Sequence, residues 1–217
     1  KGFDTIKSSI RISNMAERVN YVKSVSFECN QCGKCCRARG DVVLYPMDII
    51  RISKFLNISC NEFLDNYTQT YDWYGILSQI AIKSKKDKQL TCIFLNEENM
   101  KCKIYDARPI ACSNFPFSQI GEKNYSVQIV PCVKSYNEGK EVIEFLNKSQ
   151  QFLAEKEERK QIDEIVYLAN KKIGHYYYLK NIIFKTLYYG YNSKKEISLQ
   201  VRRRIKFLKL ALKKERG

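Results

Sequence analysis

The sequence predicts an α+β fold, in which a small, cysteine-rich, metal-bound N-terminal unit with short strands precedes a mainly helical C-terminal region. Two observations carry this prediction. Helical hydrophobic periods dominate after Gly139, whereas shorter alternating runs occur before it. Eight of the nine cysteines fall into two sets, Cys29, Cys32, Cys35 and Cys36, then Cys92, Cys102, Cys112 and Cys132. We therefore expect a cysteine-cluster metal-binding domain over residues 1–138 and a basic helical region over residues 139–217.

The N-terminal elements are predicted from caps and breakers. Residues 1–24 are read as a polar, partly helical lead-in, and Gly33 permits a tight turn within the cysteine cluster. Residues 42–45 predict a short strand ended by Pro46. Asp48 predicts the cap of a following helix, and the spacing of Ser59 and Glu62 predicts a second helix over 60–67.

The middle of the chain predicts further short strands. Residues 76–82 and 125–130 alternate as strands do. Residues 90–95 and 100–105 predict a hairpin around a turn at 96–99, with Cys92 and Cys102 on its two arms. Pro109 fits the first position of a short helix.

The C-terminal region predicts helices with breaks near Gly174 and Gly190. The last helix has apolar residues at intervals of three and four, namely Ile197, Val201, Ile205, Leu208 and Leu212. Such a stripe predicts packing on the rest of the protein, and a membrane surface is the alternative.

Charge and hydropathy limit the classes of function. The formal net charge is +15, and residues 146–217 hold 18 Lys/Arg against 7 Asp/Glu. This basic region predicts solvated helix faces, with nucleic acid, an acidic protein surface or anionic lipid as alternative partners. No apolar run approaches the ~18 residues of a membrane span, so we expect a cytoplasmic protein.

The cysteine pattern predicts bound metal. The cytoplasm keeps thiols reduced, so we favour metal ligation over a disulfide framework. A C-x2-C-x2-C loop brings three sulfurs toward one point, and a fourth from elsewhere completes a zinc site or a four-iron, four-sulfur cluster. The eight thiols suffice for one or two such sites. The only histidine, His175, lies far downstream, and an all-cysteine set favours iron–sulfur over zinc. Arg108 is the predicted cofactor-binding residue, because a guanidinium offsets thiolate charge and donates hydrogen bonds to sulfur.

These motifs together resemble a known family. The run CxxCxxCC, then CxFL, then CxIYxxRPxxC, then Phe115-Pro116-Phe117 and a last cysteine, resembles the YkgJ-type CxxCxxCC family of zinc- or iron-chelating proteins. The resemblance covers about residues 27–133 and implies that all eight cysteines are ligands. The flagellin lysine N-methylases share this region, and that similarity implies a [4Fe–4S] centre and methyl transfer from S-adenosylmethionine to protein lysines.

The sequence leaves several functions open. The first is an iron–sulfur enzyme, for which the resemblance implies S-adenosylmethionine-dependent methylation of lysines on a protein substrate. The second is a non-catalytic or electron-transfer module, with an iron–sulfur or structural zinc centre, that docks a protein or nucleic-acid partner. The nucleic-acid alternative rests on charge and tyrosines alone.

Overall fold

The computed structural model describes residues 24–27, 31–37, 42–71, 77–120, 124–127, 133–137, 155–173 and 177–214. Residues 1–23 of the predicted lead-in lie outside these ranges. The fold is α+β, as predicted from the sequence. The backbone divides into two compact units, one of Lys1–Asn30 with Asn114–Lys148 and one of Gln31–Ser113 with Ser149–Gly217. The domain boundary predicted between residues 138 and 139 stays a prediction.

The first unit contains two antiparallel strand pairs. One pair joins β1 (Ser24–Phe27) to β6 (Val133–Asn137), and the other joins β4 (Phe117–Ile120) to β5 (Asn124–Val127). The strand predicted over 125–130 is confirmed at β5, and residues 128–130 lie outside the described ranges. The partners of these strands were not predicted, because each pairing depends on the register of a second segment.

The second unit begins with two helices that follow the predicted caps. α1 (Pro46–Leu56) has Tyr45 as its N-cap, and the Asp48 carboxylate accepts a hydrogen bond from the Tyr45 N–H at 2.9 Å. Asp48 therefore caps from the third helical position, and the helix begins two residues earlier than its predicted cap. α2 (Cys60–Tyr67) begins after Ser59, whose hydroxyl accepts from the Glu62 N–H at 3.1 Å, as the spacing predicts.

The only described sheet of the second unit is a two-stranded pair. β2 (Thr68–Tyr71) follows α2 directly and pairs antiparallel with β3 (Gln79–Ile82). β3 confirms the strand predicted over 76–82. The strand predicted over 42–45 is reduced to an isolated bridge between Val43 and Ala81, because Pro46 opens α1 immediately afterwards.

The hairpin predicted from residues 90–105 is wrong in one respect. The two arms do pair, through a bridge between Leu95 and Cys102, but turns replace extended strands. The side-chain oxygens of Asn96 and Asn99 each accept a backbone N–H two residues ahead, both at 3.0 Å. Such Asx turns hold the backbone in turns and leave the ladder only a few residues long.

Four further helices complete the described elements: α3 (Ile110–Ser113), α4 (Lys156–Ile173), α5 (Tyr177–Tyr188) and α6 (Ile197–Lys214). The predicted break near Gly190 is confirmed, since this residue has a φ of 75° after α5. Gly174 lies outside the described ranges. In α6, Val201, Ile205, Leu208 and Leu212 are buried, so the apolar stripe packs on the protein as predicted.

One hydrophobic core joins the helices of the second unit. Fully buried residues come from distant parts of the sequence: Ile50 on α1, Phe63 on α2, Ile165 on α4, Leu187 on α5 and Val201 on α6. Burying apolar side chains is the main force that stabilises such a core. Among the described residues, no helix has the length and apolar character needed to cross a membrane.

Candidate metal centre

The first cysteine segment is a tight turn that requires glycine. Residues Lys34–Cys36 form one 3₁₀ turn, closed by a hydrogen bond from the Cys36 N–H to the Gly33 carbonyl at 3.0 Å. Gly33 has a φ of 67°, which disfavours any side chain. A Cβ atom there would also lie 2.7 Å from the Met100 carbonyl oxygen. The glycine therefore lets the cysteine turn lie directly against the turn that precedes Cys102.

The second segment is fastened to the first by its backbone. The Cys92 N–H donates to the Cys36 carbonyl at 2.8 Å, although 56 positions separate these residues. Cys102 is opposite Leu95, and the flanking bond from the Asn96 N–H to the Lys101 carbonyl is 2.9 Å long. Cysteines from three stretches of sequence are thereby brought to one place.

An aromatic stack supports the Cys92 turn from below. Phe94 is 4% exposed, and its ring lies 5.4 Å from that of Tyr67 and 6.5 Å from that of Phe63. Stacked rings at such distances stabilise by more than their buried area. Phe94 therefore anchors the cysteine-bearing turn to α2 and to the core.

Four thiols in this place influence one another. A hydrogen bond with Cys35, then burial, then the neighbouring Cys35, Cys92 and Cys102 thiols raise the pKa of Cys36. Burial is the main cause that raises the pKa of Cys92, and Cys102 and Cys35 raise it further. Burial also raises the pKa of Cys102, with a further contribution from Cys35. Without a cation, the raised pKa values of Cys36, Cys92 and Cys102 favour their neutral thiols, whereas a metal ion stabilises the thiolate form that ligates it.

The described thiols are neighbours without forming a finished ligand set. Over the ranges that the structure describes, no three Cys, His, Asp or Glu side chains form a group that could hold a metal ion. Two of the eight predicted ligands, Cys29 and Cys132, lie outside those ranges, as does His175. The chemistry of the four neighbouring thiols fits a soft metal such as zinc or iron.

The remaining described cysteines are placed differently. Cys32 and Cys112 are half-buried, and the Cys112 N–H donates to the Pro109 carbonyl at 2.9 Å at the start of α3. Cys60 is buried in the core, at the first position of α2, and burial raises its pKa. None of the seven cysteines in the described ranges forms a disulfide, as the sequence predicts.

Arg108 lies beside the thiols, where the sequence places a cofactor-binding residue. Its guanidinium carbon is 4.0 Å from the centre of the Tyr105 ring, and its Nε donates to the Ser113 hydroxyl at 3.3 Å. The positive charge of Arg108 counteracts the rise in the pKa of Cys102. Its role in binding a cofactor stays a prediction, which this position supports.

The sequence analysis missed a second arginine near the turn. The Nη2 atom of Arg37 is 3.4 Å from the Met100 sulfur, and its Nε is buried with no hydrogen-bond partner among the described residues. A basic residue directly after Cys36 was the available signal. Its charge lies one residue from Cys36, and a nearby positive charge favours the thiolate form of a cysteine.

The sequence analysis also missed a buried ionic group that holds α3 in place. Asp48 is fully buried, and its Oδ1 accepts the backbone N–H of Ile110 at 3.0 Å. Arg51 pairs with both Asp48 and Glu155. Burial raises the pKa of Asp48 above its usual range, and Arg51 opposes that effect. The bond to Ile110 connects α1 to the short helix that carries Cys112.

Comparison with known proteins identifies the family of this region. Residues 28–133 match a family described as "CxxCxxCC: Putative zinc- or iron-chelating domain". This match confirms the resemblance to the CxxCxxCC family seen in the sequence. The matched region contains all eight predicted ligands, and the protein is accordingly a metal-binding cysteine-cluster protein.

A curated relative is similar to part of the chain. Over 99 residues the chain is 32% identical to an uncharacterized protein, MJ0661, of Methanocaldococcus jannaschii. The alignment covers 45% of this chain and 48% of the relative, so the chain spans about half of that protein's length. No solved structure gives a significant match to the chain.

Proposed function

We propose that the protein binds a [4Fe–4S] cluster whose primary ligands are Cys35, Cys36, Cys92 and Cys102. The observation that carries this proposal is the hydrogen bond from the Cys92 N–H to the Cys36 carbonyl, 2.8 Å long, which joins two cysteine segments far apart in sequence. The other four predicted ligands, Cys29, Cys32, Cys112 and Cys132, stay predictions.

The donor set supports iron–sulfur over zinc. All four neighbouring groups are thiols, and a [4Fe–4S] cluster takes four cysteine thiolates. A structural zinc site with four thiolates is the alternative. Arg108 and Arg37 would both offset the negative charge that an iron–sulfur cluster and its thiolates carry.

Anaerobic purification followed by metal and acid-labile sulfide analysis tests the proposal. We expect iron and sulfide in equal amounts and broad absorption near ~400 nm, the thiolate-to-iron charge-transfer region. A colourless protein that contains only zinc would instead support a structural zinc site. A protein without bound metal after reconstitution with either metal would contradict the proposal.

Methyl transfer to protein lysines stays a prediction that depends on the resemblance to the flagellin methylases. In that function the cluster would lie beside bound S-adenosylmethionine, and a protein lysine would be the acceptor. Calorimetric titration of the metal-loaded protein with S-adenosylmethionine tests it directly. Saturable binding supports an enzyme, whereas no binding favours a non-catalytic or electron-transfer module.

The same proposal places the protein in a reducing compartment such as the cytoplasm. The thiols of the described ranges, free of disulfides, are the observation in its favour. Thiol labelling of protein in freshly lysed cells tests it, since cysteines paired as disulfides would resist labelling until a reductant is added.

A further inference from the structure

Helix α6 has a second face that the core does not use. Its residues include seven Lys/Arg and no Asp/Glu. The side opposite the buried stripe exposes three large apolar side chains, Leu199 at 49%, Phe207 at 60% and Leu210 at 53%. Exposed apolar residues grouped on one helix, with cations between them, mark an interaction surface more often than scattered single residues do.

A groove runs beside this face, between α4 and α6. It has a volume of about 300 Å³ and is lined by Gln161 of α4 and by Arg202, Ile205, Lys206, Lys209 and Leu210 of α6. Ile205 is 3% exposed and forms an apolar floor, whereas the cations form the rim. We call this feature the α4–α6 groove.

Ion pairs hold the two sides of the groove together and leave it positively charged. Arg202 pairs with Glu158, and Lys209 pairs with Glu164, both at 2.7 Å. Lys206 lies between these pairs, and no acidic group in the described part of the chain pairs with it or with Arg203. The groove therefore presents an apolar floor at Ile205 and, at Lys206, a positive charge that no acidic group of the described residues neutralises.

We propose that the α4–α6 groove binds an amphipathic helix of a partner protein, with leucine-like side chains on its apolar face and acidic side chains along the edge. Charge complementarity selects the acidic edge, because Lys206 is exposed and pairs with no acidic group among the described residues. Leu210 lines the groove and is 53% exposed, so it provides an apolar contact of the kind that such a helix uses in a groove.

Two other occupants fit less well. Single-stranded nucleic acid needs aromatic stacking platforms, and Leu210, the exposed apolar residue that lines the groove, is aliphatic. A membrane surface needs a continuous apolar face, whereas Arg203 and Lys206 lie at helical positions between Leu199 and Leu210. A concave groove with a cationic rim suits a helix better than either.

The test uses a fluorescein-labelled, 18-residue peptide with leucines at helical spacing and glutamates elsewhere. A second peptide has the same composition in an order that spreads the leucines around the helix. We expect the first peptide to bind the metal-loaded full chain, at least about tenfold more tightly than the second in fluorescence anisotropy, because apolar and charged contacts add. Equal affinity for the two peptides would show attraction by charge alone and would overturn the proposal.

Variants with matched controls locate the site. Lys206→Glu and Leu210→Ser should each weaken binding of the first peptide about tenfold, because both residues line the groove. Lys88→Glu reverses an exposed charge elsewhere, and Phe55→Ser removes an apolar side chain that is 47% exposed on α1. Both controls should bind within about twofold of the parent, and circular dichroism confirms that all four variants fold. Unchanged affinity in Lys206→Glu and Leu210→Ser would overturn the proposal.

Binding to oligouridine or to vesicles containing phosphatidylserine, without binding to the first peptide, would also overturn it in favour of those partners. The residues that line the α4–α6 groove include none of the predicted metal ligands. A protein that bound zinc, or no metal, could still bind the peptide, so the two proposals fail independently.

Discussion

The cysteine turns and the helical core of the second unit are held together in different ways. The core joins α1, α2 and α4–α6 through side chains that are 0–1% exposed, such as Ile50, Phe63 and Ile165. The cysteine turns meet through backbone hydrogen bonds and through a glycine that permits close approach. The thiols of these turns are half-buried, whereas the Cys60 thiol on α2 is buried in the core.

This difference indicates which region depends on metal. Burial of apolar surface stabilises the helices without help from a ligand. Turns joined by a few hydrogen bonds gain little net free energy from them, about 0.5–1.5 kcal/mol each. We therefore expect the cysteine turns to be ordered by a metal ion that binds their thiolates, while the helical core forms without it.

The largest effect that separates the two regions should come from losing a ligand. Cys92→Ser removes one of the four neighbouring sulfurs, and we expect metal affinity to fall by more than about 100-fold. Cys60→Ala is the matched control, since Cys60 lies in the core, and it should keep the parent's metal content. Metal analysis after gel filtration measures both. Equal metal loss in the two variants would remove the distinction between them.

A substitution in the core should lower the stability of the protein and leave its metal binding unchanged. Ile50 is 0% exposed, so Ile50→Ala should lower the free energy of unfolding by about 2–5 kcal/mol. The protein that remains folded should keep its metal, because the substitution removes none of the thiols. Chemical denaturation followed by circular dichroism, with metal analysis of the native fraction, checks this result.

Two glycines with positive φ offer a sharper version of the comparison. At Gly33 a Cβ would lie 2.7 Å from a backbone oxygen, whereas at Gly190 it would lie 3.2 Å from Nη2 of the Arg204 side chain. Gly33→Ala should cost about 2–4 kcal/mol and lower metal content, since both strain and overlap must be relieved. Gly190→Ala should cost about 1–2 kcal/mol and leave metal content unchanged. Similar metal content in both variants would show that the cysteine turn tolerates displacement.

The smallest effect concerns pH and the ionic group around Asp48. Burial raises the pKa of Glu155 to about 7, despite the opposing charge of Arg51. The folded state therefore binds a proton more tightly than the unfolded chain, and stability falls as pH rises from about 4.5 to about 7. Glu155→Gln cannot titrate, so it should reduce this pH-dependent loss of folding stability by roughly 1–3 kcal/mol.

The free energy of unfolding, measured at pH 5 and pH 7.5, gives the slope of stability against pH and checks this prediction. Glu164→Gln alters an exposed pair with Lys209 and should leave the slope as it is in the parent. A slope that is identical in Glu155→Gln and the parent would place the titrating group elsewhere.

The parts of the fold that could be predicted are those with a local cause. The stripe on α6 follows the helical period, and the Ser59–Glu62 spacing marks the start of α2. The pairing of β2 with β3 and the bond between Asp48 and Ile110 depend on contacts across many residues. No local pattern encodes such register, so neither could be read from one sequence.

The same distinction applies to the site. The cysteine motifs predicted the family that residues 28–133 match, whereas the eight ligands stay a prediction. The structure adds which thiols are neighbours. The hydrogen bond from Cys92 to Cys36 joins two segments, and only the folded chain reveals it. Arg37 could have been predicted from its position directly after Cys36, but the prediction from sequence considered only Arg108.

Hydrogen exchange with and without metal tests the central claim most directly. On removal of metal by a chelator under anaerobic conditions, we predict that amides of residues 31–37 and 92–102 lose protection, including the Cys92 N–H. Amides within α1, α2 and α6 should keep theirs, because buried apolar side chains hold these helices. Equal loss of protection in both regions, or no change in the cysteine turns, would contradict the account.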